Sequence, residues 1–191
     1  MQKKIGLFFG SFNPIHIGHL IIGEYVIENT DIDKLWFIIT PHNPFKERTN
    51  LLEENHRYYM ANMAIENDNR FKASNIEFKL TKPSYTVNTL IHLSEKYPQY
   101  TFNLIMGEDN YNSIDKWKNY QFILNNYAIY VYPRKSEDKE VNIKGNIKHV
   151  RAPLIEISSS YIRNCIKGGK DFKYIVPESV YNYIKEMNFY K

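Results

Sequence analysis

The chain has 191 residues, of which 43% are hydrophobic and 24% charged, values that are typical of a folded domain and exclude an intrinsically disordered chain. The net charge of +4 suits anionic small molecules and is too weak to indicate a nucleic-acid-binding protein. No apolar run is long enough to predict a membrane-spanning helix, and the lone Cys165 excludes a disulfide framework or a multi-cysteine zinc site. We therefore expect one domain over residues 1–191, in the cytoplasm, without nucleic-acid or membrane partners.

In the first half of the chain, short apolar runs alternate with segments whose apolar residues recur every three or four positions. Apolar runs that end in turn residues predict buried strands, and the helical spacing predicts amphipathic helices. In chain order we predict a strand over Lys4–Phe9, a helix over Ile17–Glu28, a strand over Leu35–Ile39, a loop over Pro41–Asn50, a helix over Glu53–Glu66, an extended segment over Phe71–Leu80 and a helix over Ser84–Tyr97.

The second half continues this alternation and contains one charged stretch, Arg134–Lys148, which we interpret as a surface excursion. A proline, Pro177, precedes the last predicted helix, as is typical of a helix start. The predicted elements are strands over Phe102–Met106, Ala128–Tyr132 and Ile147–Val150, and helices around Phe122, over Ser159–Lys167 and over Glu178–Met187.

The alternation of strands and helices indicates the fold class. Strands that are continuous apolar runs favour an α/β fold, namely a Rossmann-like, doubly wound, mostly parallel sheet with helices on both faces. Such sheets bind ligands at the carboxyl ends of their strands, where the strand order reverses. Because Gly10 and Gly107 each follow a predicted strand, we expect the functional site to lie at these strand ends.

The segment Gly10–His19, GSFNPIHIGH, is the first candidate site because it joins a buried strand to a helix. A helix N-terminus carries free N–H groups and a partial positive charge that favour phosphate. His16 and His19 lie three residues apart, so both imidazoles can donate to phosphate oxygens from one face of the first turn. Gly10 lets the backbone approach a ligand, and Gly18 removes a side chain between the histidines. The alternatives are metal ligands, for which no cysteine or acidic cluster completes a site, or structural histidines.

The segment Ile157–Arg163, ISSSYIR, is the second candidate site. Hydroxyl groups at a helix start can cap free N–H groups or face a phosphate, and Arg163 can hold two phosphate oxygens from about one turn further along. The alternative is an ordinary N-cap followed by an exposed arginine. Together the two segments resemble the G-x-F-x-P-x-H-x-G-H and I-S-S-T-x-x-R signatures of the nucleotidylyltransferase superfamily, with serine in place of threonine.

Within that superfamily the chain is similar to the nicotinate-nucleotide adenylyltransferase family over essentially its whole length. Pro83–Leu90 resembles the family segment P-S-Y-T-x-x-T-L, Ile105–Asp109 resembles I-x-G-x-D, and Asn188–Lys191 resembles a G-L-Y-basic ending. The proline-containing loop that carries Lys46 resembles the family's P-P-H-K loop, although Phe45 stands where a histidine is usual.

The resemblance implies adenylyl transfer from ATP to nicotinate mononucleotide, giving deamido-NAD and pyrophosphate, with Mg²⁺ accompanying the ATP and no dedicated metal ligand in the protein. It implies catalytic roles for His16, His19, Arg163 and Lys46. The implied ATP-binding residues are Gly10, Ser11, Phe12, His16, His19, Gly107, Asp109, Ile157, Ser158, Ser159 and Arg163. The implied acceptor-binding residues are Tyr85, Thr86, Trp117, Lys118 and Arg134.

Four of these residues have alternative interpretations that the sequence leaves open. Lys46 fits a solvated lysine, Asp109 an N-cap, Thr86 a helix-start residue and Trp117 a core side chain. For the whole chain, the alternatives are another small-molecule nucleotidylyltransferase, of the pantetheine-phosphate adenylyltransferase or cytidylyltransferase type, and a non-catalytic nucleotide-binding regulator. The sequence predicts no oligomeric state.

Overall fold

The computed structural model describes residues 2–41, 51–134 and 144–191. Within these ranges the strands are β1 (Lys3–Gly10), β2 (Lys34–Ile39), β3 (Phe71–Ser74), β4 (Tyr100–Gly107), β5 (Ile129–Tyr132) and β6 (Ile147–His149). They form one sheet in the order β3-β2-β1-β4-β5-β6, and every neighbouring pair is parallel. The predicted doubly wound, parallel α/β sheet is confirmed.

Helices cover both faces of this sheet, as predicted. In the described ranges they are α1 (Ile17–Asn29), α2 (Glu54–Ile65), α3 (Thr86–Lys96), α4 (Glu108–Tyr111), α5 (Tyr120–Asn126), α6 (Ser159–Lys167) and α7 (Glu178–Glu186). Helix α6 has the predicted bounds, and Pro177 occupies the N-cap position of α7. None of the helices in these ranges combines the length and the apolarity that crossing a bilayer requires.

The core consists of two apolar clusters, one on each side of the sheet, because successive strand residues point to opposite faces. Phe8 packs in the cluster that includes residues of α1, α2, α6 and α7. Leu7, its neighbour on β1, packs in the cluster that includes residues of α3 and α5. The parallel register aligns Leu7 with Leu104 on β4 and Phe8 with Phe37 on β2, so the central strands supply side chains to both clusters.

The strand order reverses at β1, which lies between β2 and β4. The chain proceeds outward from β1 to β2 and β3, then returns to place β4 on the other side of β1. Strands β1 and β4 end at Gly10 and Gly107, so these residues lie at the same edge of the sheet. This is the predicted location for a ligand site in a doubly wound sheet.

The prediction of an extended segment over Phe71–Leu80 is wrong in its second half. Strand β3 ends at Ser74, and Ile76–Lys79 forms a 3₁₀ turn. The turn directs the side chain of Glu77, which is 1% exposed, inward to accept a hydrogen bond from Thr89 Oγ1 at 2.6 Å. A buried polar contact to α3, rather than local apolar spacing, determines this bend.

Two predicted segments lie largely outside the described residues. Of the predicted loop Pro41–Asn50, the description includes Pro41, and Lys46 therefore lies outside it. Of the charged stretch Arg134–Lys148, residues 135–143 lie outside. The strand predicted over Ile147–Val150 is confirmed as β6, which ends one residue earlier, at His149.

Candidate active site

A cleft of about 500 Å³ opens where β1 and β4 end, and it brings the two sequence motifs together. Among the residues predicted for the site, those that line the cleft are Gly10, Ser11, Phe12, His16, His19, Tyr85, Thr86, Gly107, Asp109, Trp117, Lys118, Arg134, Ser158, Ser159 and Arg163. Ile157 lines a small neighbouring cavity beside His16 and His19 instead. The cleft therefore contains residues predicted to bind ATP and residues predicted to bind the acceptor.

The turn after β1 is shaped by Phe12, which has a left-handed backbone with φ of 45°. Its buried ring packs edge-on against Phe8, Phe37 and His19, with a centroid distance of 4.9 Å to the imidazole of His19. A Cβ atom at Gly10 would lie 2.8 Å from Phe12 Cζ, which is too close. Gly10 thus makes room for the aromatic ring that supports His19, in addition to its predicted approach to a ligand.

The two histidines of the motif form a stacked pair at the start of α1. Their ring centroids are 3.7 Å apart, with 25° between the ring planes. The backbone N–H of His16 donates to His19 Nδ1 at 3.2 Å. Since Nδ1 accepts, the proton of a neutral His19 lies on Nε2, where it can be donated to a ligand.

His16 is the N-cap residue of α1 and is 3% exposed. Burial, followed by the charge of nearby Arg134, lowers the pKa of His16 to about 3. The imidazole is therefore neutral at physiological pH, and it can serve as a hydrogen-bond donor without adding charge to the site. A Cβ atom at Gly18 would lie 3.0 Å from His16 Nδ1 and 2.7 Å from Ile155, so Gly18 gives the ring its space, as predicted.

The start of α6 docks directly on the first motif. Ser158 caps the helix by accepting a hydrogen bond from the N–H of Tyr161 at 3.1 Å, and Ser159 Oγ donates to the carbonyl of Pro14 at 2.9 Å. Arg163 donates from Nη1 to the carbonyl of Asn13 at 2.8 Å. The arginine is therefore held at the cleft by the β1–α1 turn itself, and the two motifs form one structural unit.

The predicted acceptor residues line the same cleft. Thr86 is the first residue of α3, preceded by Tyr85 at the N-cap position. Lys118 Nζ lies 4.4 Å from the ring centroid of Tyr85, a cation–π contact. Trp117 is half-buried: it packs against the apolar core, as the alternative interpretation predicts, and it also lines the cleft.

Asp109 lies at the edge of the cleft beyond β4. The alternative that it caps the following helix is wrong, because Gly107 is the N-cap residue of α4 and Asp109 lies within its first turn. A Cβ atom at Gly107 would collide with Asp109 Oδ1 and lie 3.0 Å from Arg134 Cγ. Gly107 thus allows an exposed carboxylate and a guanidinium to approach the same strand end.

Several polar residues that support the cleft were not identified from the sequence. Arg57 on α2 is 1% exposed and donates to four backbone carbonyls, those of Ser11, Thr40, Pro41 and Leu52. Its place on the buried face of α2, beside Met60 and Ala61, was the available signal, because an unpaired arginine on an apolar face requires buried acceptors. Four other buried polar residues line the cleft, namely Asn13, Thr40, Glu77 and Ser84.

Across residues 2–41, 51–134 and 144–191, no three histidine, cysteine or acidic side chains converge on one point. Magnesium usually keeps several waters and is held by substrate phosphates with one or two carboxylates. The exposed carboxylate of Asp109, at the edge of the cleft, is a side chain of the kind that such an ion takes as a ligand.

Comparison with known proteins gives the family. The cytidylyltransferase-like family model matches residues 7–165. A relative from Flavobacterium psychrophilum, named "Probable nicotinate-nucleotide adenylyltransferase", is 52% identical over 191 residues, which cover 98% of this chain and 99% of the relative. A relative of the same name from Christiangramia forsetii is 50% identical over the full length of both chains. The chain belongs to the nicotinate-nucleotide adenylyltransferase family.

The fold agrees with this membership. The structure of the Plasmodium falciparum nicotinic acid mononucleotide adenylyltransferase complexed with NaAD superposes with a TM-score of 0.82, covering 98% of this chain and 97% of that one. Its 22% sequence identity makes this a likeness of fold. As a member of the nicotinate-nucleotide adenylyltransferase family, the chain is a nucleotidyltransferase of NAD biosynthesis.

Proposed function

We propose that the cleft transfers the adenylyl group of ATP to nicotinate mononucleotide, giving deamido-NAD and pyrophosphate. The observation that carries this proposal is that residues of both phosphate motifs line the same cleft as the half-buried Trp117, Thr86 and Lys118. We place ATP beside the motifs, in what we call the ATP end, and nicotinate mononucleotide beside Trp117, in what we call the acceptor end. We thus assign the residues of this cleft to the reaction of the family.

At the ATP end, the chain supplies donors and positive charge. His16 presents a neutral imidazole, and His19 presents the Nε2 side of its ring. Arg163 presents a fixed guanidinium, and the N-terminus of α6 adds its partial positive charge. We place the triphosphate against these groups. Lys46, which lies outside the described residues, stays a prediction as a further phosphate contact.

At the acceptor end, the chemistry matches a pyridine ring that carries a carboxylate. The flat face of Trp117 suits stacking on a cationic pyridinium ring. Thr86 contributes a hydroxyl and lies at the N-terminus of the eleven-residue helix α3, where free N–H groups favour an anion. Lys118, whose Nζ lies against the ring of Tyr85, adds positive charge beside them, and Arg134 also lines the cleft. We therefore assign these residues to nicotinate mononucleotide.

The reaction requires no general base from the protein. An oxygen of the acceptor phosphate, already anionic at neutral pH, attacks the α-phosphorus of ATP. The bond from that phosphorus to the oxygen bridging to the β-phosphate then breaks, and pyrophosphate leaves with the electron pair. The chain's residues orient the two phosphates and donate hydrogen bonds where negative charge develops. A magnesium ion bound to the ATP phosphates would neutralise part of that charge.

We propose that the reaction takes place in the cytoplasm. Two observations support this: the described residues contain no helix that could span a membrane, and the sequence carries one cysteine, Cys165, which is buried and unpaired. A lone buried cysteine behaves as a small apolar side chain, and it fits a reducing compartment.

A pyrophosphate-release assay with a panel of acceptors tests this function. The purified protein is incubated with Mg-ATP or Mg-CTP and, in turn, nicotinate mononucleotide and phosphopantetheine, and the nucleotide product is identified by chromatography. We expect pyrophosphate and deamido-NAD in equal amounts from ATP and nicotinate mononucleotide. A product from phosphopantetheine or CTP at a comparable rate would contradict the assignment, as would ATP binding without turnover of any acceptor.

A further inference from the structure

The C-terminal segment, Asn188–Lys191, contacts the turn between β1 and α1. Tyr190 Oη donates to the side-chain oxygen of Asn13 at 2.8 Å, across 177 positions of sequence. Asn13 belongs to the first motif, is 3% exposed and lines the cleft. A residue far from the motifs in sequence is therefore hydrogen-bonded to the wall of the active site.

The segment reaches Asn13 by an unusual backbone path. Asn188 and Tyr190 both have left-handed backbones, with φ of 54° and 65°. Non-glycine residues adopt this conformation at a cost, and it persists where surrounding contacts enforce it. The contacts include the hydrogen bond from the N–H of Phe189 to the carbonyl of Ile184 at 3.1 Å and the Tyr190–Asn13 bond itself. The placement of the Tyr190 ring is thus specified by the fold.

Asn13 connects Tyr190 to the catalytic arginine. The side-chain oxygen of Asn13 accepts from Tyr190 and from the N–H of Leu52, at 2.8 and 3.2 Å. Its backbone carbonyl accepts from Arg163 Nη1 at 2.8 Å. A shift of Asn13 would therefore move the acceptor that orients the guanidinium of Arg163 in the cleft.

The Tyr190 hydroxyl is suited to a permanent donor role. Burial raises its pKa far above the ordinary value, although the cations of Arg163 and Arg57 lie near enough to oppose the shift. The hydroxyl stays protonated throughout the pH range in which the enzyme would be assayed. It therefore acts as a constraint on Asn13 rather than as an acid or a base.

We propose that Tyr190 is a positioning residue of the nucleotidyl transfer: its hydroxyl fixes Asn13, and Asn13 orients Arg163 toward the phosphates of ATP. The proposal rests on the proposed function for its readout of turnover. Tyr190 itself does not line the cleft, so its effect on catalysis passes through Asn13 and Arg163. Tyr190 belongs to neither of the two sequence motifs.

Tyr190→Phe tests the proposal, with Tyr183→Phe as a matched control. Tyr183 also lies near the C-terminus, and its hydroxyl is 2.8 Å from His56 Nδ1, so each substitution removes one partly buried hydroxyl bond. We expect Tyr190→Phe to lower kcat and to raise the Kd for ATP, each by roughly 3- to 10-fold, the scale of one hydrogen bond, with the acceptor KM unchanged. Tyr183→Phe should change these constants less than about 2-fold.

The urea midpoints of both variants show whether either substitution destabilises the fold. If Tyr190 had only a structural role, two variants of similar stability would show similar kinetic losses. A double-mutant cycle gives the second readout: in the Arg163→Lys background, Tyr190→Phe should cost less than about 2-fold, since the residue it orients is already altered. Full activity of Tyr190→Phe, equal losses in both tyrosine variants, or independent effects in the cycle would overturn the proposal. The Kd for ATP is measured without an acceptor, so a wild type that binds ATP and fails to adenylate nicotinate mononucleotide would refute the proposed function separately.

Discussion

At the scale of single residues, the histidine pair shows how the fold determines what an imidazole can do. His16 is buried and neutral, and its backbone N–H holds Nδ1 of His19, which directs the donor nitrogen of His19 outward. The ring of Phe12 supports the same imidazole from the side. We therefore expect His19 to be the preorganised donor of the pair.

The substitution His19→Ala should lower kcat by about 10²- to 10³-fold, the effect of removing a preorganised transition-state donor. The variant should stay folded, with a lower urea midpoint, because it loses the hydrogen bond from the His16 N–H and the ring contact with Phe12. His149→Ala is the matched control: His149 is exposed on β6, away from the cleft, and its removal should leave kcat unchanged. Equal kcat for the wild type and a folded His19→Ala variant would remove His19 from the mechanism.

The role proposed for Arg163 depends on the geometry of its guanidinium group as well as on its charge. One of its terminal nitrogens donates to the carbonyl of Asn13 and the other to Ser160 Oγ at 3.1 Å, so the planar group is oriented before any ligand binds. Lysine has the charge without the planar fork.

We therefore expect Arg163→Lys to lower kcat/KM for ATP clearly, by about 10-fold or more, and Arg163→Ala to lower it further. Steady-state kinetics with the acceptor saturating measures both losses. Arg151→Lys, at an exposed position outside the cleft, controls for general effects of the exchange. Restoration of full activity by lysine at position 163 would show that the fork geometry is unimportant.

At the scale of elements, a charged cluster joins the starts of three strands. Asp31, in the connection between α1 and β2, accepts hydrogen bonds from Lys4 on β1, from Tyr130 on β5 and from Lys148 on β6, the last at 2.9 Å. These bonds, led by that of Lys4, hold the pKa of the Asp31 carboxyl well below its ordinary value. The cluster lies away from the cleft, so its contribution is to stability.

We predict that Asp31→Asn lowers the free energy of unfolding at pH 7 by about 0.5–1 kcal/mol, a small loss because the carboxylate is 44% exposed and screened by water. Because the pKa of Asp31 is lower in the folded state, its carboxylate stabilises the fold at pH values above the unfolded-state pKa, near 4. This contribution is lost as the pH falls below that value. Urea titrations should therefore show a difference between wild type and variant at pH 7 that shrinks below about pH 4 and at high salt. A difference that grows on acidification would contradict this account.

The sequence predicts those elements whose signal is local. Apolar runs identify β1, β2 and β4, and the serines of the second motif mark the start of α6. The prediction fails over Phe71–Leu80, where a contact between Glu77 and α3 bends the chain. Local spacing cannot report a hydrogen bond to Thr89, which follows twelve residues later on another helix.

At the scale of the whole molecule, the parallel sheet explains how motifs distant in sequence form one site. The order β3-β2-β1-β4-β5-β6 places the ends of β1 and β4 side by side, and α6 docks there through Ser159 and Arg163. The motif residues were identifiable from the sequence because their chemistry is distinctive. The supporting contacts of Arg57 and Tyr190 were not, because they depend on which backbone carbonyls and side chains the fold brings within reach.

The two ends of the cleft also lead to a prediction about substrate choice. Nicotinate and nicotinamide mononucleotides differ by a carboxylate against a neutral amide. Thr86 and the start of α3 offer donors, and Lys118 offers positive charge, so the site matches the anion. The amide would direct its NH₂ group toward these donors and leave at least one unpaired, at a cost of roughly 1–3 kcal/mol or more.

The measurement that tests the central claim most directly is the ratio of kcat/KM for nicotinate mononucleotide to that for nicotinamide mononucleotide, under saturating Mg-ATP. The account predicts a ratio of at least about 10² in favour of nicotinate mononucleotide, because sites built on paired polar groups discriminate on this scale. A ratio near one, or a preference for the amide, would contradict the assignment of this end of the cleft to the nicotinate carboxylate.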